Sequence, residues 1–364
     1  MVTAAGRAAR RNRTTTAWGR TVMERRILGG TGISVSEFAL GTMMLGAWGT
    51  ADHGAAARIV HTALDAGIDF VDTADMYSDG ESEVIVGKAL KGRRDDVVLA
   101  TKFHNPMGPD ANHRGNSRRW IVRAVEGSLR RLDTDWIDLY QVHRPDPDTD
   151  LDETLSALSD LVRAGKIRAY GTSAFPAEEL VEARWTAERR GHVLPRSEQP
   201  PYSILARGIE AGVLPTAQRY GMGVLTWSPL SAGWLSGRYG GPDGADPGEA
   251  HRSPMLGSMY DTALPGNAAK LAAVTELKKV AADAGVPLPH LALAFVLAHP
   301  AVTSVLIGPR TQEQLEGLLA GAGVRLDGSV LDRIDEIVPP GTDVVRDPTF
   351  HLPPALAEKR LRRR

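Results

Sequence analysis

Cysteine is absent from all 364 residues, which excludes disulfides and thiolate metal sites and fits a reducing, cytoplasmic compartment. An excess of either charge is absent too. The 43 Lys and Arg face 44 Asp and Glu, a formal net charge of −1, so nothing in the charge calls for a nucleic-acid partner. No apolar run reaches the roughly 18 residues that a membrane helix needs. Residues 1–22 are rich in Ala, Arg and Thr but hold no apolar stretch, unlike a secretory signal. Their composition resembles an organelle transit peptide, but a disordered extension is the simpler expectation, or a start assigned too early, since Met23 opens the first patterned segment.

What is present is a repeating pattern. Hydrophobic residues make up 42% of the chain, enough for a large core. Turn glycines at 29, 30 and 32 predict a hairpin leading into a first strand that ends near Gly41-Thr42. Those glycines do not open a helix after a strand, so they are not a dinucleotide fingerprint. From there strand and helix alternate. Strands are predicted at 68–72, 97–102, 137–142, 167–171, 197–199, 222–226 and 302–307, with helices between them. In the helix over 117–132, for instance, Ser117 can cap, and Ile121, Val122, Val125, Leu129 and Leu132 form one stripe. Eight such units close most simply into a (β/α)8 TIM barrel spanning 23–338, with an N-terminal β-hairpin and a long Gly/Pro-rich loop after strand 7. Residues 339–364 read as a C-terminal tail.

Barrel enzymes work from the C-terminal ends of their strands, and polar residues gather there. Asp72 ends the second strand, with Tyr77 five residues later on a loop. Lys102 ends the third strand and His143 the fourth. The segments DTADMYSDGESE, LATKF and YQVHRPD, then GTS at 171–173, WSPL at 227–230 and IGPRTQEQL at 307–315, together resemble the aldo-keto reductase family in order, over nearly the whole chain.

The resemblance implies carbonyl reduction. A carbonyl that takes hydride at carbon builds negative charge on oxygen and needs a proton donor. Tyr77 is then the donor. Lys102 is the ammonium that favours its ionised form, Asp72 holds the lysine, and His143 orients the carbonyl. The other motifs imply a site for NADPH/NADP+. Ser173 and Gln199 would meet the carboxamide and Trp227 the nicotinamide ring, while Ser228, Pro229, Leu230, Gly233, Leu235, Gly237 and Arg238 would form a pyrophosphate-covering loop. Thr42, Ile307, Gly308, Arg310 and Gln314 complete the set, with Arg310 at a helix start suited to a 2′-phosphate. Two residues depart from the family pattern: Ala174 and Leu318 stand where asparagine is common, which removes two donors. Met44, Trp48, His104, Trp120 and Trp234 are candidates for the substrate rim.

Other chemistries fit less well. Only His143 of the ten histidines ends a strand, so no metal site is expected. No tyrosine has lysine four residues on, as a short-chain dehydrogenase would need, and no phosphate-binding P-loop is present. The expected partner is a small carbonyl compound, an aldehyde, a ketone or a keto sugar, with no nucleic acid and no membrane. The alternative is a non-catalytic NADP(H)-binding regulatory subunit on the same fold. The sequence leaves the oligomeric state open.

Overall fold

The structure, a computed structural model, describes residues 23–239, 260–345 and 359. The expectations for residues 1–22, for most of the tail and for part of the loop after strand 7 lie outside those residues. Ten strands are described: β1 (Arg25–Ile27), β2 (Ser34–Ser36), β3 (Phe38–Gly41), β4 (Phe70–Asp72), β5 (Val98–Phe103), β6 (Ile137–Val142), β7 (Ile167–Ser173), β8 (Ser197–Gln199), β9 (Gly223–Thr226) and β10 (Val302–Ile307). The last eight form a closed parallel barrel, with β10 pairing back to β3. The expected (β/α)8 architecture is present.

Strands β1 and β2 form the antiparallel hairpin. It plugs the N-terminal mouth: Leu28 and Val35 join one buried cluster with Ala39, Phe70, Ala100, Leu139, Ala169, Leu225 and Leu306. Gly29 makes the hairpin's close approach possible. A Cβ there would lie 2.3 Å from the Arg196 carbonyl oxygen, and its φ is +52°. The larger core lies outside the ring, where Phe38, Leu40, Val71, Leu99 and Tyr140 pack under the helices.

Helices cover the ring because their apolar stripes match it. In α1 (His53–Asp65) Ile59, Val60 and Ala63 are buried, and Asp52 caps the first turn by accepting from Ala55 N. Next come α2 (Glu81–Ala89), α3 (Arg118–Leu132), α4 (Leu151–Arg163), α5 (Ala177–Arg190) and α6 (Val213–Tyr220). In α3, Ser117 caps as expected, with its side chain accepting from Trp120 N. Val122, assigned to the apolar stripe, is 42% exposed instead. After the long loop follow α7 (Pro265–Asp283), α8 (Leu288–Ala298), α9 (Gln312–Leu319) and α10 (Gly328–Ile337). No single helix among the described residues is long and apolar enough to cross a membrane.

Alternation along the strands sets the site. Side chains two apart share a face, so Ala100 and Lys102 point the same way, as do Phe70 and Asp72, Leu139 and Gln141, and Leu225 and Trp227. The apolar members fill the barrel interior. Their polar partners form the next layer up, at the C-terminal mouth.

Candidate active site

Asp72, Lys102, Gln141 and Gln199 of that layer form one connected network, fully buried. Lys102 Nζ donates to Asp72 Oδ2 at 2.5 Å, to the Thr73 carbonyl at 2.8 Å and to the Tyr77 hydroxyl at 3.3 Å. Asp72 Oδ1 accepts from Gln141 Nε2 at 3.0 Å and Gln199 Nε2 at 2.8 Å. Burial pulls the Lys102 pKa down, but Asp72 and Tyr77 more than offset it. The net direction is upward, so Lys102 is an ammonium. An ion pair taken out of water needs this saturation, because burial costs each charge several kcal/mol.

Tyr77 reaches the lysine from a strained loop. Ser78 and Asp79 have φ of 49° and 55°, left-handed values that cost non-glycine residues energy. Contacts with the loop after β3 hold this conformation: Trp48 N donates to Ser78 Oγ and Ala47 N to Glu81 Oε2. The same contacts bring Trp48 to the tyrosine, ring centroids 6.2 Å apart. His143 lies on the other side, its ring 6.0 Å from that of Tyr77 and edge-on. Asn105 Nδ2 donates to His143 Nδ1 at 3.0 Å, which leaves the ring hydrogen on Nε2. Burial, then the charges of Lys102 and Arg144, push the His143 pKa well down, so the imidazole is neutral. The four strand-end candidates therefore meet as one cluster: a half-buried phenol with an ammonium behind it and a neutral imidazole beside it.

Comparison with known proteins places the cluster in context. The model of the aldo/keto reductase family matches residues 37–339. The chain belongs to the aldo/keto reductase family. It is 40% identical over 329 residues to the "Uncharacterized oxidoreductase YrpG" of Bacillus subtilis, covering 87% of this chain and 96% of that protein. It is 35% identical over 347 residues to the "Aldo-keto reductase YhdN" of the same organism, covering 92% of this chain and all of the relative. A "Probable voltage-gated potassium channel subunit beta" of Arabidopsis thaliana is 34% identical over 332 residues, 87% of this chain and 97% of that protein.

The remaining expected residues of this aldo/keto reductase fall into three groups. Ser173, Gln199 and Trp227 meet at the mouth: Ser173 Oγ and Trp227 Nε1 both donate to the Gln199 carbonyl, at 2.9 and 3.2 Å. The Gln199 side-chain nitrogen is taken by Asp72 and Gln141. The second group is a more open arc. The loop after β9 turns through left-handed backbone at Ser228, Ser231, Ala232 and Gly233. Arg238 and Arg310, from different loops, both act on Tyr239, against the burial that raises its pKa. Gln314 Oε1 accepts from Arg310 N at 2.8 Å. Two guanidinium groups that both act on one tyrosine suit a ligand carrying phosphates. The third group supports these from within. Thr42 donates its hydroxyl to the Asp72 carbonyl, and Pro229, Leu235 and Ile307 are buried while Leu230 is half-buried.

Of the rim candidates, Trp48 is 40% exposed next to Tyr77, and Met44 is half-buried on the same loop. His104 bonds Asn116 through Nδ1. Trp234 is fully buried, stacked on Tyr260 at 5.6 Å and tilted against Tyr239; Trp120 is also buried, stacked on His113. Both are packing positions, not rim positions. Ala174 has φ of 56°, a left-handed conformation that asparagine tolerates better than alanine. That accounts for asparagine in the family pattern by backbone as well as by its side chain.

Sequence reading missed three residues of the site: Gln141, Asn105 and Arg144. Period-two spacing could have found Gln141, since it lies between Leu139 and His143 on the inward face. Asn105 and Arg144 lie just past their strands, where that spacing no longer says which way a side chain points.

Proposed function

We propose that this chain is an NADPH-dependent reductase of aldehydes or ketones, keto sugars included, with Tyr77 as the proton donor. The observation that supports this most is the convergence of Asp72, Lys102, Tyr77 and His143 within hydrogen-bonding and ring-contact distances. A bound reduced nicotinamide supplies hydride; the residues of the chain manage the charge that results. His143 Nε2–H hydrogen-bonds the carbonyl oxygen and orients it beside the phenol. As negative charge grows on that oxygen, Tyr77 gives up its proton, and the Lys102 ammonium stabilises the phenolate left behind. Asp72 keeps Lys102 aimed at the hydroxyl. Ser173 and Trp227 present the ring face, while Arg238 and Arg310 take the phosphates; Arg310 at a helix start favours NADPH over NADH. Residues 23–338 act as one barrel, in the cytoplasm.

The relatives named as channel β subunits support a second reading, a nucleotide-binding regulatory subunit. One experiment separates the two. NADPH consumption is followed against a panel of aldehydes, ketones and keto sugars, with wild type beside Tyr77→Phe. Turnover that falls by about 10²–10⁴-fold in the variant, with NADPH affinity kept, is the expected result. Tight NADPH binding without turnover on any carbonyl would favour the regulatory subunit, and failure to bind either nicotinamide cofactor would rule out both.

A further inference from the structure

Arg144 follows His143 directly and turns back over the site. Its guanidinium carbon lies 5.8 Å from the centroid of the Trp227 ring, and NH1 donates to the His143 carbonyl at 2.8 Å. Among the described residues that carbonyl is its one hydrogen-bond acceptor, for a group with five N–H donors, and no carboxylate reaches ion-pair distance. The nearby acids are engaged elsewhere. Asp72 is bound by Lys102, Gln141 and Gln199. Asp146 accepts from Asn116 N, Thr149 Oγ1 and Asp148 N. Glu198 accepts from Thr172 Oγ1 and Phe175 N; its field reaches Arg144, but it makes no ion pair with it, and burial raises its pKa to about 8, so it carries little charge at neutral pH. His143 is neutral, and Lys102 is already paired.

Among the described residues Arg144 is thus a half-buried cation with no counter-charge at ion-pair distance, and the groups whose fields reach it are the Tyr77 phenol and Glu198. Half-buried charges are normally paired, because desolvation is otherwise left uncompensated. A planar guanidinium with free donors is suited to a carboxylate or phosphate oxygen pair. We infer that Arg144 anchors an oxyanion of the substrate, so that this reductase selects carbonyl compounds bearing a carboxylate or phosphate close to the reacting carbon. This rests on the reductase reading above. A purely structural Arg144, stacked on Trp227 and capping a strand carbonyl, would affect folding without distinguishing charged from neutral substrates.

The test uses matched aldehydes at saturating NADPH: 3- and 4-carboxybenzaldehyde, 4-formylphenyl phosphate, and methyl 4-formylbenzoate as the neutral counterpart. Wild type is expected to prefer at least one charged aldehyde over the ester, by about tenfold or more in kcat/KM. Preference for the carboxylates or for the phosphate identifies which oxyanion the site takes. Arg144→Met should raise KM for the preferred compound by about 10- to 100-fold, the range for a lost charge-assisted pair. The ester should stay within about twofold and NADPH affinity should not change, while Arg144→Lys should restore part of the loss. Equal turnover of ester and charged aldehydes by wild type overturns the inference, and that measurement needs no variant. Loss of NADPH affinity in Arg144→Met, with aldehyde KM unchanged, also overturns it and assigns the residue to the cofactor. Absence of turnover on every aldehyde, with NADPH bound, removes the reductase reading and this inference together.

Discussion

Two clusters of buried charge lie on opposite sides of β4 and β5. On the inner side, Asp72 and Lys102 bond each other, two glutamines, a carbonyl and the Tyr77 hydroxyl. On the outer side, under α2 and α3, Glu83 accepts from Thr101 Oγ1 at 2.6 Å and pairs with Arg131 at 2.7 Å. Asp75 and Tyr140 lie beside that pair. Asp75 forms no well-made hydrogen bond, and the Tyr140 hydroxyl has none. Burial, then Glu83, raises the Asp75 pKa well above the usual carboxylate range. Buried charge alone does not mark a functional group. The inner cluster differs because its chain of bonds ends at a phenol at the barrel mouth, whereas the outer one ends at the Arg131 guanidinium between helices, away from that mouth.

The contrast can be broken from both sides. Lys102→Met is expected to lower kcat by about 10²–10⁴-fold and to destabilise the fold by about 3–5 kcal/mol, since Asp72 is left buried without its cation. Arg131→Met should also destabilise, by about 2–4 kcal/mol once the partial exposure of Arg131 is allowed for, yet leave kcat within about twofold. Steady-state rates and denaturant melts of the two variants side by side would check this. A large rate loss in Arg131→Met would show the clusters to be coupled.

A third buried carboxyl sharpens the comparison. Glu198 titrates near 8 in the folded chain, against 4.5 ordinarily, because of burial. The folded state then holds the proton more tightly than the unfolded state, so this group's contribution to stability falls as pH rises from about 4.5 to about 8. Glu198→Gln removes that slope. Its stability relative to wild type should climb with pH across the interval, as read from melting curves, and an unchanged difference would mean the carboxyl is ionised in the fold. The smallest effect concerns Ala174, which belongs to neither cluster. Ala174→Gly relieves a left-handed alanine and should stabilise by about 1 kcal/mol or less after the entropy cost of glycine.

The ring was legible in the sequence because each of its eight strands ends in a change of pattern, from apolar run to polar turn. The strand-end residues were legible for the same reason: Asp72, Lys102 and Gln199 sit where period-two spacing still holds. Loop side chains were not. Trp234 looks like a rim tryptophan by position but is buried between Tyr260 and Tyr239, because the loop after β9 folds back through left-handed turns that local sequence does not announce. Asp75 reads as one more loop acid between Asp72 and Tyr77, and only the packing of Glu83 and Arg131 shows it to be part of the outer core.

The seam between β3 and β10 places Phe38 beside Val305 and Leu40 beside Ile307, so the barrel is fastened by segments near the two ends of the folded region. Asp72, Tyr77, Lys102 and His143 are all synthesised in the first half of the chain, and Arg238 and Arg310 in the second. A growing chain thus carries the reactive side chains long before it has a closed ring to hold them, and the sequence-distant pairing that closes it is of the slow-forming kind. The mouth takes its working shape only with the final strand, which ties the appearance of a competent site to completion of the whole barrel.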